Sequence, residues 1–309
     1  MTDDTGKYSV ITFATNKIAY VKFALNCAKS ILLHNDLPVY IVSDLSFPIP
    51  GEYKDKIFIV PATKEHAALG IGIKLHIDEY VQTEHTLFID SDCICFGDLG
   101  EIFSACEGMD ISVAGNIVPT ATWCGEEQAK TIKQEFGIDK IIRFNGGLYY
   151  TRKSALTKII FDKARQIAEK YDDYGFQRIR NKWINEEGPL SIAMMLNKQK
   201  PIADDGRFMT DLFTDARPSR LNVLTGERLL KNHPDGHKKF RPWYPEFYKP
   251  IIVHFGGVNL KSFPYISQYA LLKLNSLKIP AWLSTMLVGL FINFPYKTYY
   301  WLSNKPIHL

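Results

Sequence analysis

Several things are scarce or missing in this 309-residue chain, and each absence excludes something. The five cysteines (Cys27, Cys93, Cys95, Cys106 and Cys124) are odd in number and form no C-x-x-C pair. A disulfide framework is therefore not expected, and free thiols in a reducing compartment are. The opening MTDDTGKYSV carries acids where a signal peptide carries bases, and no apolar segment follows, so the expectation is a protein that is not exported. No internal repeat, low-complexity run or long Gly/Ser linker breaks the chain. The segment after the first strand candidate, ATNKIAY, lacks glycine, which removes the G-x-G-x-x-G of a nicotinamide dehydrogenase.

Acids are missing from one region altogether. From Phe247 to Leu309 there are six lysines and no Asp or Glu. Between Arg217 and Leu309 the balance is 13 Lys+Arg against three acids, a net +10, whereas the first 216 residues carry a net −6. The whole chain is only +4, and its 46% apolar and 23% charged residues are ordinary for a globular protein. Such an asymmetry points to an anionic partner for the C-terminal part.

What is present alternates strands and helices. YSVITF (8–13), PVYIVS (38–43), KIFIV (56–60) and LFI (87–89) read as buried strands. Helical spacing covers 18–34, where Asn16 suggests a cap, and 69–81. Further strands are expected at 110–114, 147–151 and 251–254, and helices at about 153–170 and 187–196. This order favours an α/β fold with a mostly parallel central sheet, whose ligands sit beyond the carboxyl ends of the strands.

Asp90 and Asp92 fall at such an end, in TLFIDSDCICF. Two like charges this close raise each other's pKa unless a cation lies between them. Mg2+ or Mn2+ resolves the conflict and keeps open positions for substrate phosphates; the plain alternative is two solvated acids. Cys93-x-Cys95 has no second Cys/His pair at ligand spacing, so zinc is not expected. In FNGGLYYTRKS (144–154), Gly146 and Gly147 would let a sugar approach the backbone beside Asn145, unless Asn-Gly-Gly is only a hairpin turn. NEEGPLSIAMM (185–195) opens a helix with Glu186 and Glu187, which a helix dipole alone would also favour. IIVHFGGVNLK (251–261) ends a strand on His254, then offers Gly256, Gly257 and Lys261. Imidazole on an ion, with glycine amides and an ammonium on phosphates, would suit a diphosphate–metal site.

The ordered set of strand–D-x-D, N-G-G, acid-bearing helix start and H-F-G-G-x3-K resembles the GT-A-fold glycosyltransferases, and glycosyltransferase family 8 most, over roughly residues 8–262. The resemblance implies a Rossmann-like GT-A domain (1–263) and a helical C-terminal tail (264–309). It implies metal ligation by Asp90, Asp92 and His254, and transfer of a hexose from a UDP-sugar to a glycan or lipid-linked glycan, in polysaccharide assembly. Donor contacts follow at Ala14, Asn16 (where the family usually has Asp), Tyr20, Lys74, Asp90, Ser91, Gly146, Gly147, Gly256, Gly257 and Lys261. Glu187, Glu186 and Asn145 become the catalytic candidates. The family often has Asp-Gln-Asp where this chain has Glu-Glu-Gly, which leaves the stereochemical outcome open. An inverting enzyme would use Glu187 as base; a retaining one would use Glu187 and Asn145 to position the sugar.

Two other readings remain. A sugar-1-phosphate nucleotidylyltransferase would share the sheet but needs a Gly-rich, Arg-containing first loop, and a non-catalytic protein on the same fold would bind donor without turnover. The tail IPAWLSTMLVGLFINFPYKTYYWLSNKP has an apolar stretch at 281–294, short of the roughly 20 residues that span a bilayer. Thr285, Gly289 and Asn293 form a narrow small or polar stripe on it. Lys273, Lys278, Lys297 and Lys305 with Tyr299-Tyr300-Trp301 suit a bilayer interface. The expectation is a cytoplasmic protein peripheral to an anionic membrane, docking onto a protein surface being the alternative. No nucleic-acid-binding motif accompanies the charge.

Overall fold

YSVITF, the first of the apolar runs, forms the strand Tyr8–Phe13, third in a seven-stranded sheet. The computed structural model describes residues 6–216 and 220–303. Its contacts divide the chain into two units, one holding residues up to Val21, Leu37–Asp90 and Gly100–Asp204, the other Lys22–Asp36, Ser91–Leu99 and residues from Asp205 onward.

In the first unit the strand order is Ile57–Pro61, Val39–Ser43, Tyr8–Phe13, His85–Ile89, Lys140–Arg152, Ile111–Pro119, Ile202–Ala203. The first four run parallel and the last pair is parallel; Lys140–Arg152 is antiparallel to both neighbours. Val10, Ile11, Leu87 and Phe88 are fully buried, so both faces of the central strands are covered. That is why these strands read as continuous apolar runs rather than as alternations. Helix Ala155–Glu169, capped by the Ser154 hydroxyl on Thr157 N–H, and helix Glu187–Leu196 contribute Ile160, Phe161, Leu190 and Met194 to the core with Phe88 and Tyr149.

Two local expectations change. The 69–81 segment is not one α-helix: Lys64–Ala68 is a short helix, Gly70–His76 a 3₁₀-helix and Ile77–Tyr80 a further α-helical turn. Gly70 sits at φ +60° with the Trp183 ring packed where a Cβ would stand; a left-handed glycine just past a helix end stops it. The Asn-Gly-Gly stretch is not a hairpin turn either, for strand Lys140–Arg152 runs straight through it. A register shift between Val113 and Gly115 of the neighbouring strand absorbs the irregularity. Gly115 leaves no room for a Cβ against Arg143 O and Phe144.

In the second unit, strand Ile252–His254 lies between Cys93–Cys95, antiparallel, and Met209–Asp211, parallel. A second small sheet joins Arg220–Asn222, Glu227–Lys231 and Phe247–Tyr248. Helix Phe263–Ser276 packs Tyr265, Leu271 and Leu272 into the same core as Ile94, Phe96, Val253 and Phe255. Gln268, buried, accepts from Val223 N–H at 2.8 Å and donates to Leu221 O at 3.1 Å. The apolar stretch continues as Ala281–Val288, a π-helical turn Gly289–Asn293, and Phe294–Ser303. Two residues of the polar stripe bond to the rest of the unit: Thr285 Oγ1 accepts from Asn222 at 2.9 Å and Asn293 Oδ1 from Ser267 at 2.5 Å, while Ser284 and Val288 are the buried residues of Ala281–Val288. The remaining faces expose Trp282 (70%), Phe291 (69%), Phe294 and Trp301 (79%). Lys305, counted among the flanking lysines, lies outside the described residues. Among the described residues no helix is long and apolar enough to cross a membrane.

Candidate active site

In the first unit the 3₁₀-helix carries Lys74 to the carboxyl end of strand His85–Ile89. Lys74 Nζ donates to Asp90 Oδ2 at 2.7 Å and to Gly146 O at 2.8 Å, and lies 3.2 Å from Glu186 Oε1. Burial alone would depress this ammonium, but the carboxylates of Asp90, Glu186 and Glu187 outweigh it and hold Lys74 well above the usual lysine value. Asp90 N–H donates to Gly147 O at 3.0 Å, which ties the D-x-D start to the Asn-Gly-Gly strand.

Glu186 stands at the cap position of its helix, yet its side chain does not cap. It turns into the protein, where Oε1 accepts from Tyr149 Oη at 2.9 Å. The residue is 1% exposed and its Oε2 has no hydrogen-bond partner among the described residues. A buried carboxylate oxygen left unmatched is costly. Glu187 Oε1 accepts from Gly146 N–H at 2.9 Å, and Asn185 Oδ1 accepts from Glu187 N–H at 3.2 Å. Burial, then the neighbouring Glu186 charge, push the Glu187 carboxyl up to about 7, against Gly146 N–H and Lys74. A Cβ at Gly146 would displace the Glu186 carboxylate and come within 2.9 Å of Tyr149 Oη. Asn145 Oδ1 accepts from Gly147 N–H at 2.9 Å.

In the second unit the strand register sets His254 opposite Cys93 on one side and Asp211 on the other. His254 Nδ1 is 2.8 Å from Asp211 Oδ1 and Nε2 is 3.1 Å from Asp92 Oδ1. Burial would lower this imidazole, but Asp92 and Asp211 outweigh it and hold His254 well above the ordinary histidine value. Each ring nitrogen thus has a carboxylate partner, Asp211 on Nδ1 and Asp92 at Nε2; were a metal to take Nε2, Asp211 would hold the ring from its other nitrogen. The ligand atoms of Asp92, Cys93 and His254 lie within 4.8 Å of one another, so a divalent ion fits these donors.

The other candidates fall as follows. Ala14, buried at the end of the first strand, donates to Val42 O at 2.9 Å and accepts from Ser43 Oγ at 2.6 Å. Asn16 lies one residue outside the cap of helix Ile18–His34, at φ +69°. Its side-chain amide donates to Ala67 O at 2.7 Å and its N–H to Asp44 Oδ1 at 2.8 Å. Tyr20 is 41% exposed on the first turn of that helix, and Ser91 is half-buried in a turn. Gly256 (φ +42°) and Gly257 (φ +53°) take backbone shapes that favour glycine, and Lys261 is exposed at the end of 3₁₀-helix Gly257–Lys261. Sequence reasoning missed Asp211, Tyr149 and Asn185. Nothing local distinguishes Asp211 in FMTDLF; only the pairing of two three-residue strands brings it to His254.

No protein-family model matches the sequence, and no curated protein sequence matches it. Solved structures do. An active-site mutant of LgtC is 15% identical, covers 81% of this chain and 87% of that one, and has a TM-score of 0.51. The galactosyltransferase LgtC in complex with donor and acceptor sugar analogues gives 12% identity, the same coverage and a TM-score of 0.51. The glycosyltransferase GlyE of Streptococcus pneumoniae TIGR4 is 20% identical with a TM-score of 0.38, covering 64% of this chain and only 45% of GlyE. The chain thus spans less than half the length of GlyE. What these identities establish is the fold: a mixed α/β, GT-A architecture around a mostly parallel sheet, as the sequence implied.

Proposed function

We propose that this chain is a glycosyltransferase that moves a hexose from a UDP-sugar to a glycan or lipid-linked glycan, using Mn2+ or Mg2+ held by Asp92 and His254. The observation that carries the reading is the Asp92–His254–Asp211 set, present on the fold of a galactosyltransferase. When bound, a divalent ion supplies Lewis-acid compensation for charge on the departing nucleoside diphosphate. Gly256, Gly257 and Lys261 follow His254 directly and are assigned to the phosphates. Ala14, Asn16 and Tyr20 are assigned to the nucleoside, and Ser91, Gly146 and Gly147 to backbone contacts with the donor.

The carboxylates of the first unit take the hexose. Glu186 Oε2, buried and unmatched, accepts a sugar hydroxyl. Lys74 lies between Asp90 and Glu186, 2.7 Å from the one and 3.2 Å from the other. Glu187, poised at about 7, has the basicity to accept the proton of an acceptor hydroxyl near neutral pH. The test is a panel of nucleotide sugars given to the full-length protein with Mn2+. One UDP-sugar should release free UDP, EDTA should stop it, and added Mn2+ should restore it. Release that is indifferent to chelation would overturn the metal assignment, and no release from any donor would leave a binding protein.

We further propose that the enzyme works on an anionic membrane surface. The exposed aromatics Trp282, Phe291, Phe294 and Trp301 share the tail with Lys273, Lys278 and Lys297, and no acid follows Glu246. Aromatic and aliphatic burial at the headgroup level, with about 1 kcal/mol for each lysine near the surface, suits that location. A lipid-linked acceptor would be presented there.

A further inference from the structure

The Asp92–His254 pair is not the only place where metal-binding groups converge. His66, His76 and Glu79, all in the first unit, bring their ligand atoms within 4.8 Å of one another. None belongs to the donor machinery described above. We propose that these three side chains form a second metal site, selective for a borderline transition ion such as Zn2+ over Mn2+ or Mg2+.

The geometry is built rather than accidental. His66 stands on helix Lys64–Ala68, His76 ends the 3₁₀-helix Gly70–His76, and Glu79 lies one turn on, in Ile77–Tyr80. The left-handed turn at Gly70 folds the first of these segments back on the others, and the two imidazoles meet with ring centroids 4.0 Å apart. His66 Nδ1 is 2.7 Å from Tyr80 Oη, which leaves Nε2 toward Glu79, 3.9 Å from Oε2. A ring nitrogen held by an oxygen partner while the other faces the ion is the usual outer-shell arrangement for a metal-bound histidine. His76 Nδ1 is 2.7 Å from Glu79 Oε1, so an ion would take the position of the proton now shared by that pair.

Electrostatics permit a dication. Arg165 is the nearby cation, 3.7 Å from Glu79, but it is matched by Asp78 at 2.8 Å and Asp162 at 2.5 Å. Two imidazoles and one carboxylate, with an open position for water, form a donor set that suits zinc; Mn2+ and Mg2+ favour oxygen-rich sites. The ion would clamp helix Lys64–Ala68, whose Ala67 carbonyl receives the Asn16 side chain, to the 3₁₀-helix that carries Lys74.

The test uses full-length, metal-stripped protein with Asp92→Asn, which disables the other site. Zn2+ is titrated in competition with a chromophoric chelator, and Co2+ is followed by its visible absorption. One equivalent of each should bind. His66→Ala or His76→Ala should weaken binding by more than the about 10–100-fold that an outer-shell change costs, and Tyr80→Phe should fall within that range. Glu79→Gln, at a more exposed position, serves if a histidine variant fails to fold, and should weaken Zn2+ as strongly. Absence of Zn2+ binding in the Asp92→Asn protein, or binding unchanged in His76→Ala and Glu79→Gln, would overturn the proposal.

Discussion

Replacing Glu187 by Gln removes one ionisation from the buried Glu186–Glu187 pair, and the effect should show in the pH dependence of folding. The Glu187 carboxyl rises from 4.5 to about 7 because burial and Glu186 oppose its charge. A raised acid binds its proton more tightly in the folded state than in the unfolded one. Its contribution to stability is therefore complete below the unfolded value and is lost as pH rises through the folded value. The loss levels off above about 7, where both states are ionised. At 1.36 kcal/mol per pH unit, that rise corresponds to about 3 kcal/mol, or a melting shift of about 6 °C at the ~2 °C per kcal/mol of a chain this size. Glutamine keeps the acceptor for Gly146 N–H but cannot ionise, so the variant should be spared this loss. Titrating groups away from Glu186 and Lys74 are common to both proteins and cancel. The assay is a pair of thermal melts at about pH 5 and about pH 8.5, wild type against Glu187→Gln. Wild type should lose about 3 kcal/mol relative to the variant across that interval. Parallel behaviour of the two would refute the burial of Glu187 against Glu186.

Asp211→Asn should weaken Mn2+ binding by about 10–100-fold, measured by calorimetry, because His254 loses the partner that holds its ring. Lys74→Met should destabilise the fold by about 3–5 kcal/mol in denaturant titration, since Glu186 is left buried with its charge uncompensated; a loss under 1 kcal/mol would mean that water reaches the pair. Gly146→Ala should cost about 1–3 kcal/mol as the new methyl displaces the Glu186 carboxylate. Trp282→Ser with Phe291→Ser and Trp301→Ser should reduce sedimentation with anionic vesicles without lowering the melting temperature, as these side chains are mostly exposed. Unchanged sedimentation would end the membrane reading.

Much of this was legible in the sequence where the signal is local. Continuous apolar runs such as YSVITF and TLFI announced buried parallel strands because both their faces are covered. The charged exit at Asp90 and Asp92 and the His254-Phe255-Gly256-Gly257 stretch stood out because charge and glycine follow directly on burial. Long-range register was not legible. Asp211 reaches His254 only because Met209–Asp211 pairs with Ile252–His254, and three residues carry too little periodicity to announce a strand. Asn-Gly-Gly read as a turn because its local preference is a turn; the sheet and Glu187 override it. In the tail, the stripe of Thr285, Gly289 and Asn293 was visible, but the hydrogen bonds of Thr285 and Asn293 depend on Asn222 and Ser267 elsewhere in the chain.

The most direct test of the account is calorimetric titration of UDP into the full-length protein with and without Mn2+, for wild type and for His254→Ala. The account predicts that UDP binds wild type tightly only when Mn2+ is present, and that His254→Ala abolishes this dependence while keeping its fold by circular dichroism. Equal UDP affinity with and without Mn2+ in wild type, or an unaltered Mn2+ effect in His254→Ala, would contradict it.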